Sequence, residues 1–289
     1  MTVKITALVD NEASEGLRSE HGLSLWVEAE GRCILFDTGQ GQTLAHNARQ
    51  LGVPLAKADA IVLSHGHYDH TGGMAELLSV SPTAHVILHP GAVIARYSIG
   101  PGKPPRAIGI PQAARDAVAR VSDGGVIGVL QPFRLAAAVG VTGPIPRETS
   151  YEDVGGPFFL DPRGERRDAI EDDQALWIGT PDGLIVCVGC SHAGVINTLQ
   201  YVRKVSGIPR IRAVIGGFHL RHANDWRIEK TIAALRSLSP GMLAPCHCTG
   251  EEALRALEKG LGASVSRCRA GMRFFFQSGT ARTRNGLAA

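Results

Sequence analysis

An apolar run, Ala60-Ile61-Val62-Leu63, leads directly into Ser64-His65-Gly66-His67-Tyr68-Asp69-His70-Thr71-Gly72-Gly73. Three imidazoles and a carboxylate lie within six residues and form an H-x-H-x-D-H loop at the end of a strand. Neutral imidazole is the commonest side-chain metal ligand, and carboxylate oxygens also bind divalent ions well. A loop leaving a strand can aim His65 and His67 at one ion. Asp69 and His70 then reach a second ion a few ångströms away, as in two-metal hydrolytic sites. Gly66, Gly72 and Gly73 permit the backbone conformations that such crowding needs. Four ligands in register distinguish this loop from a polar loop with coincidental histidines.

The rest of the chain is organised around similar strand ends. Leu23 to Gly39 reads as a hairpin turning at Glu30-Gly31, and Ala175 to Gly189 as another turning at Pro181-Asp182-Gly183. β-Branched residues around a Gly-containing turn support both readings. Helices are expected at about 73–78 and 226–238, the latter with Ile228, Ile232 and Leu235 on one face. Two β-rich halves, each followed by helices, predict two sheets packed face to face with helices outside. Residues 98–163 contain 9 of the 16 prolines. They are expected to form an insert too proline-rich for regular core packing, with one helix near 112–121. The expected single domain spans 1–276, followed by a flexible tail at 277–289.

Composition narrows the partners. The 289 residues carry 30 Lys+Arg against 27 Asp+Glu, a net charge of +3, with no basic run of four. That balance argues against a dedicated nucleic-acid binder. No segment approaches the roughly 18 to 20 apolar residues of a membrane span, and the alternating Met1–Asp10 lacks a secretory apolar stretch. The expected partner is a small molecule, with neither nucleic acid nor membrane, and the expected location is cytoplasmic. Cys33, Cys187, Cys190, Cys246, Cys248 and Cys268 then read as buried thiols or metal neighbours. Cys187 and Cys190 are offset by three in a strand-like run, which points them to opposite faces.

With its flanking hairpin ending in Phe36-Asp37-Thr38-Gly39, the histidine loop resembles the metallo-β-lactamase superfamily. Glu20-His21-Gly22-Leu23-Ser24, Gly189-Cys190-Ser191-His192-Ala193-Gly194, Gly216-Gly217-Phe218-His219-Leu220 and Pro245-Cys246-His247-Cys248-Thr249-Gly250 narrow the match. Together they are similar to a branch labelled dihydropterin ribofuranosylaminobenzene-phosphate synthase-like. The resemblance implies an α/β fold, a four-layer αββα sandwich. It also implies two divalent ions, zinc first and iron or manganese as alternatives. His65, His67 and His192 would hold one ion, and Asp69, His70 and His247 the other. Many members carry a bridging aspartate where this chain has Cys190. Three readings stay open: a water bridge alone, a thiolate ligand favouring zinc, or a weak second site.

The implied activity is metal-assisted hydrolysis of a small phosphate ester or acyl compound, because bound divalent ions bring the pKa of water towards 7. Asp69 is the expected orienting carboxylate. His219 is open between ligand, acid for the leaving group and packed strand-end residue, and His21 between pocket and surface. Arg147-Glu148 offers a cation for an anionic substrate, beside the plainer reading as a solvated pair. His46, His85, His89 and His222 have no partner pattern and read as structural or exposed. The resemblance also implies a synthase-like transferase as an alternative, and the scaffold admits a non-catalytic metal-dependent sensor. No G-x-S-x-G elbow, Walker loop or G-x-G-x-x-G after a strand is present.

Overall fold

The computed structural model describes residues 1–277 and 280–284. Two sheets face each other. One has eight strands in the spatial order Thr280–Arg284, Arg273–Gln277, Thr2–Val9, Ser24–Ala29, Arg32–Phe36, Ala60–Val62, His85–Leu88 and Val126–Gly128. The other has six, in the order Leu243–Cys246, Ile211–Gly217, Gly183–Val188, Leu176–Thr180, Val139–Val141 and Phe133–Ala136.

Side-chain alternation along the strands makes the layers. Ile34, Phe36, Ala60 and Val62 of the first sheet meet Leu176, Ile178, Ile185 and Cys187 of the second in one buried core. The intervening Leu35, Ile61 and Leu63 face outward, onto the helices Leu44–Gln50, Met74–Val80 and Gln112–Ala119. In the second sheet Leu184, Val186 and Val188 turn outward, under Val195–Ser206, Asp225–Leu238 and Glu251–Leu261. The layers are therefore helix, sheet, sheet, helix, as the two β-rich halves predict.

Both expected hairpins form. Ala29 pairs with Arg32, so Glu30 and Gly31 make a two-residue turn, with φ of 50° and 71°. Paired positive φ values match the right-handed twist of the flanking strands. Strands Arg32–Phe36, Ala60–Val62 and His85–Leu88 run parallel, and so do Gly183–Val188, Ile211–Gly217 and Leu243–Cys246. The carboxyl ends of these two parallel groups collect the functional loops, as in other open α/β sheets.

Residues 98–163 differ from the expected insert. Val126–Gly128 extends the first sheet, while Phe133–Ala136 and Val139–Val141 extend the second. Val139 and Val141 are fully buried in the inter-sheet core. Proline concentrates in the connections here and leaves the short strands free to pair. The expected helix is present as Gln112–Ala119. Tyr97–Ser98, Arg106–Ala107 and Phe158–Phe159 form a small third sheet. Within the expected tail, Gln277 ends one strand and Thr280–Arg284 pairs antiparallel with it; 278–279 and 285–289 lie outside the described residues. Among the described residues no helix is long and apolar enough to cross a membrane.

Candidate metal centre

Strand ends deliver the site. Asp37 follows Phe36, His65 and His67 follow Val62, and Cys190 and His192 follow Val188. His219 follows Gly217, and His247 follows Cys246. Asp37, Ser191, His219 and His247 hold positive φ values between 47° and 60°. Non-glycine residues in this region cost on the order of 1–3 kcal/mol each, so the surroundings must over-determine them. Gly66 sits between the first two histidines because a side chain would not fit. An added Cβ would lie 2.1 Å from Ala92 O and 2.4 Å from Arg96 Nη1.

The outer nitrogen of four imidazoles is tied to a protein acceptor. His70 Nδ1 lies 2.7 Å from Asp37 Oδ2, and His247 Nδ1 lies 3.0 Å from Asn11 Oδ1. His192 Nδ1 lies 2.8 Å from Val154 O. The Ser64 hydroxyl donates to Asp37 Oδ2 at 2.7 Å, which leaves its oxygen to accept from His65 Nδ1 at 2.9 Å. Each contact assigns the proton to Nδ1 and turns the Nε2 lone pair inward. The inner atoms converge: His70 Nε2 lies 3.2 Å from His247 Nε2 and 3.2 Å from Cys190 Sγ, and His65 Nε2 lies 3.0 Å from His67 Nδ1. His192 Nε2 is buried without any hydrogen-bond partner. Such orphaned atoms are rare in proteins, and a metal ion would satisfy this one.

Four groups of ligand atoms lie within 4.8 Å of one another: His65/Cys190/His192, His70/Cys190/His247, His21/Asp69/His247 and Cys190/His219/Cys248. His67 packs against the first group, with ring centroids 4.6 Å from His65 and 4.9 Å from His192. The expected first triad is thus together. The second is together as well. Asp69 Oδ2 lies 3.5 Å from His247 Nε2 and 3.9 Å from His70 Nε2, and it also contacts His21 Nε2 at 3.0 Å. Cys190 Sγ joins the same two imidazoles.

Electrostatics suit ligation. Burial holds His65 and His192 well below the usual imidazole range, and neighbouring imidazoles add to the effect. Burial likewise lowers His67 to about 3 and His247 to about 4. These rings are neutral at pH 7, as ligands must be. Burial also opposes charge on His70, but Asp37 and Asp69 outweigh it and raise the group to about 9. An ion bound there would have to displace this proton. Asp69 is ionised: burial raises it, but His70, His21 and His247 carry it well below the carboxylate range.

A cavity of about 250 Å³ opens onto this cluster, and His21, Asp69, His192, His219 and His247 face it. Phe158 forms an apolar wall, its ring 5.2 Å from His67 and 5.5 Å from His192. Gly155 lets the loop pass over His219, since a Cβ there would lie 1.9 Å from the imidazole. Arg147 and Glu148 do not line the cavity. The Arg147 guanidinium donates instead to the carbonyls of His192 and Ala169, which fixes the His192 loop from behind. Arg106 and Arg221 face the cavity, and so does His222, which the sequence reading placed among the ordinary histidines.

Several residues with clear roles in this geometry had no sequence expectation: Asp37, Asn11 and the pair Arg96–Asp172. Arg96 is buried, and its Nη1 donates to Asp172 Oδ2 at 2.9 Å. The same oxygen accepts from Gly66 N at 2.8 Å. The carboxylate directly after the apolar strand Arg32–Phe36 was the available signal for Asp37.

The family model described as the metallo-beta-lactamase superfamily matches residues 18–247. The chain belongs to this superfamily. It is 33% identical over 258 residues to an uncharacterised protein, MJ0448, of Methanocaldococcus jannaschii, covering 88% of this chain and 94% of that one. It is 31% identical over 263 residues to the same organism's 7,8-dihydropterin-6-methyl-4-(beta-D-ribofuranosyl)-aminobenzene-5'-phosphate synthase, covering 87% and 89%. Among solved structures it resembles Tm1679, described as a metal-dependent hydrolase of the beta-lactamase superfamily. That match has a TM-score of 0.81 and 32% identity, and covers 94% of this chain and 98% of the other.

Proposed function

We propose that the chain is a metal-dependent hydrolase that holds two divalent ions, zinc first, and cleaves a small anionic phosphate ester or acyl compound. The observation that carries the reading is the orientation of the imidazoles, with outer nitrogens bound to Ser64, Asp37, Val154 and Asn11 and inner nitrogens converging. In this reading His65, His67 and His192 would hold one ion and Asp69, His70 and His247 the other, with Cys190 beside both sets. Cys190 belongs to candidate groups on both sides, so its sulfur would be within reach of either ion; burial pushes its thiol pKa up, and a bound metal would be what deprotonates it. A soft thiolate favours zinc. Bound divalent ions supply Lewis acidity and a water acidic enough to attack at neutral pH.

The chain's own groups supply the rest. Asp69, ionised and facing the cavity, accepts a hydrogen bond from the attacking water and orients it. His219 faces the same cavity, and although burial opposes charge on it, the Cys248 sulfur outweighs this and raises its pKa, which fits it to hold a proton beside the leaving atom. Phe158 keeps bulk water from the histidines. The six free thiols fit a reducing compartment such as the cytoplasm.

The test is an activity screen of zinc-, iron- and manganese-reconstituted protein on phosphodiester, phosphomonoester, lactone and thioester substrates, beside His67→Ala and His192→Ala. The reading expects turnover of at least one class, abolished in both variants. Silence on every class overturns it. A second reading, synthase activity like that named for the 31% identical relative, rests on likeness along most of both chains. It becomes the favoured account if the hydrolytic panel is silent while metal is bound.

A further inference from the structure

The cavity rim carries charge that the hydrolytic step does not use. Arg106 lies on the small third sheet, in the strand Arg106–Ala107, and its guanidinium carbon is 5.7 Å from the centroid of the Tyr68 ring. Arg221 lies beyond the strand Ile211–Gly217, and its backbone N–H donates to Cys248 O at 3.3 Å. Its stem packs against Gly250, where an added Cβ would meet Arg221 Cβ at 3.0 Å. Both side chains line the cavity of the metal centre. Among the described residues, no ion pair involves either arginine. Among the described residues, the one carboxylate facing the cavity is Asp69, already engaged by His21 at 3.0 Å.

Two arginines held at one mouth without a counter-charge call for negative charge from a ligand. Guanidinium groups donate to phosphate in a fixed fork, and a phosphomonoester near pH 8 supplies close to two negative charges in one group. A carboxylate supplies one.

We propose that Arg106 and Arg221 form an anion subsite that binds a phosphomonoester dianion on the substrate, apart from the bond cleaved at the metal centre. The proposal rests on the hydrolase reading and narrows its substrates to compounds with a terminal phosphate besides the scissile ester. The two arginines set specificity and take no part in bond breaking.

The test is calorimetric titration of metal-loaded protein with phenylphosphonate, a dianion at pH 8, and with benzoate, a monoanion of similar shape. Wild type, Arg106→Ala, Arg221→Ala and the double variant are compared, with metal content measured on every sample. Phenylphosphonate is expected to bind more tightly than benzoate and to weaken about tenfold or more for each arginine removed, since hydrogen bonds to charged groups contribute about 1.5–3 kcal/mol. Metal content is expected to stay at the wild-type level. Unchanged phenylphosphonate affinity in the double variant overturns the subsite, as does equal binding of benzoate or no binding by wild type. The hydrolase reading is judged separately, by metal content and by turnover in His67→Ala, so arginine-dependent binding without metal or turnover would overturn that reading and leave the subsite standing.

Discussion

Replacing Arg96 by Met should destabilise the fold far more than loss of a surface charge would. The guanidinium is 2% exposed. Its Nε donates to Asp168 Oδ2 at 2.7 Å, and its two terminal nitrogens donate to Asp172 at 2.9 Å and 2.5 Å. The side chains of Asp168 and Asp172 are themselves 5% and 0% exposed. Methionine fills much of the volume but leaves two carboxylates buried without their cation. Removing one partner of a buried pair costs about 3–5 kcal/mol, because the remaining charge is uncompensated. At about 2 °C per kcal/mol for a chain of this size, the melting temperature should fall by roughly 6–10 °C. Asp172 also accepts from Gly66 N at 2.8 Å, so the loop between His65 and His67 should loosen and metal affinity should fall with stability. Differential scanning calorimetry with metal analysis reads both effects. The combined variant Arg96→Met, Asp168→Asn, Asp172→Asn should regain part of the loss. It removes the orphaned charges, while the amide introduced at position 172 still offers an oxygen to Gly66. A loss below about 1 kcal/mol in Arg96→Met, or a combined variant less stable than Arg96→Met, would refute the reasoning.

Other outcomes follow from the same geometry. Asp37→Asn weakens the hold on His70 and Ser64, and removal of such supporting groups typically lowers metal affinity about 10- to 100-fold, measurable by chelator competition. Cys190→Ser should abolish the thiolate-to-cobalt charge-transfer absorption of cobalt-loaded protein; an unaltered band would remove Cys190 from the centre. Burial raises Asp173 to about 7, so the folded state binds a proton that the unfolded chain releases near pH 4. Stability contributed by this group is therefore present at low pH and falls as pH rises towards 7, by up to about 1.4 kcal/mol per pH unit. Denaturant titrations of Asp173→Asn between pH 4 and 7 should show a shallower decline than wild type.

The candidate ligands were legible in the sequence where the chemistry is local. His65, His67 and His70 share one loop, and His192 and His247 each follow an apolar strand among small or apolar neighbours. Layering was legible too, because two β-rich halves each followed by helices predict facing sheets with helices outside. What remained hidden depends on distant pairing. Asp37 reaches His70 across 33 positions, and Asn11 reaches His247 across 236, so no local pattern connects them. Arg147 was a reasonable cation by composition, but only tertiary packing decides that it serves two backbone carbonyls while Arg106 and Arg221 face the cavity. The proline count of 98–163 likewise misled. It registers the connections between short strands and is blind to Val139 and Val141, which pair with Ile178 and Leu176.

Elemental analysis of protein reconstituted with zinc and freed of excess ion tests the central claim most directly. The account predicts close to two equivalents per chain, falling in His192→Ala and in His247→Ala while both variants remain folded by circular dichroism. A folded wild-type protein that retains no metal and still turns over a substrate would contradict it.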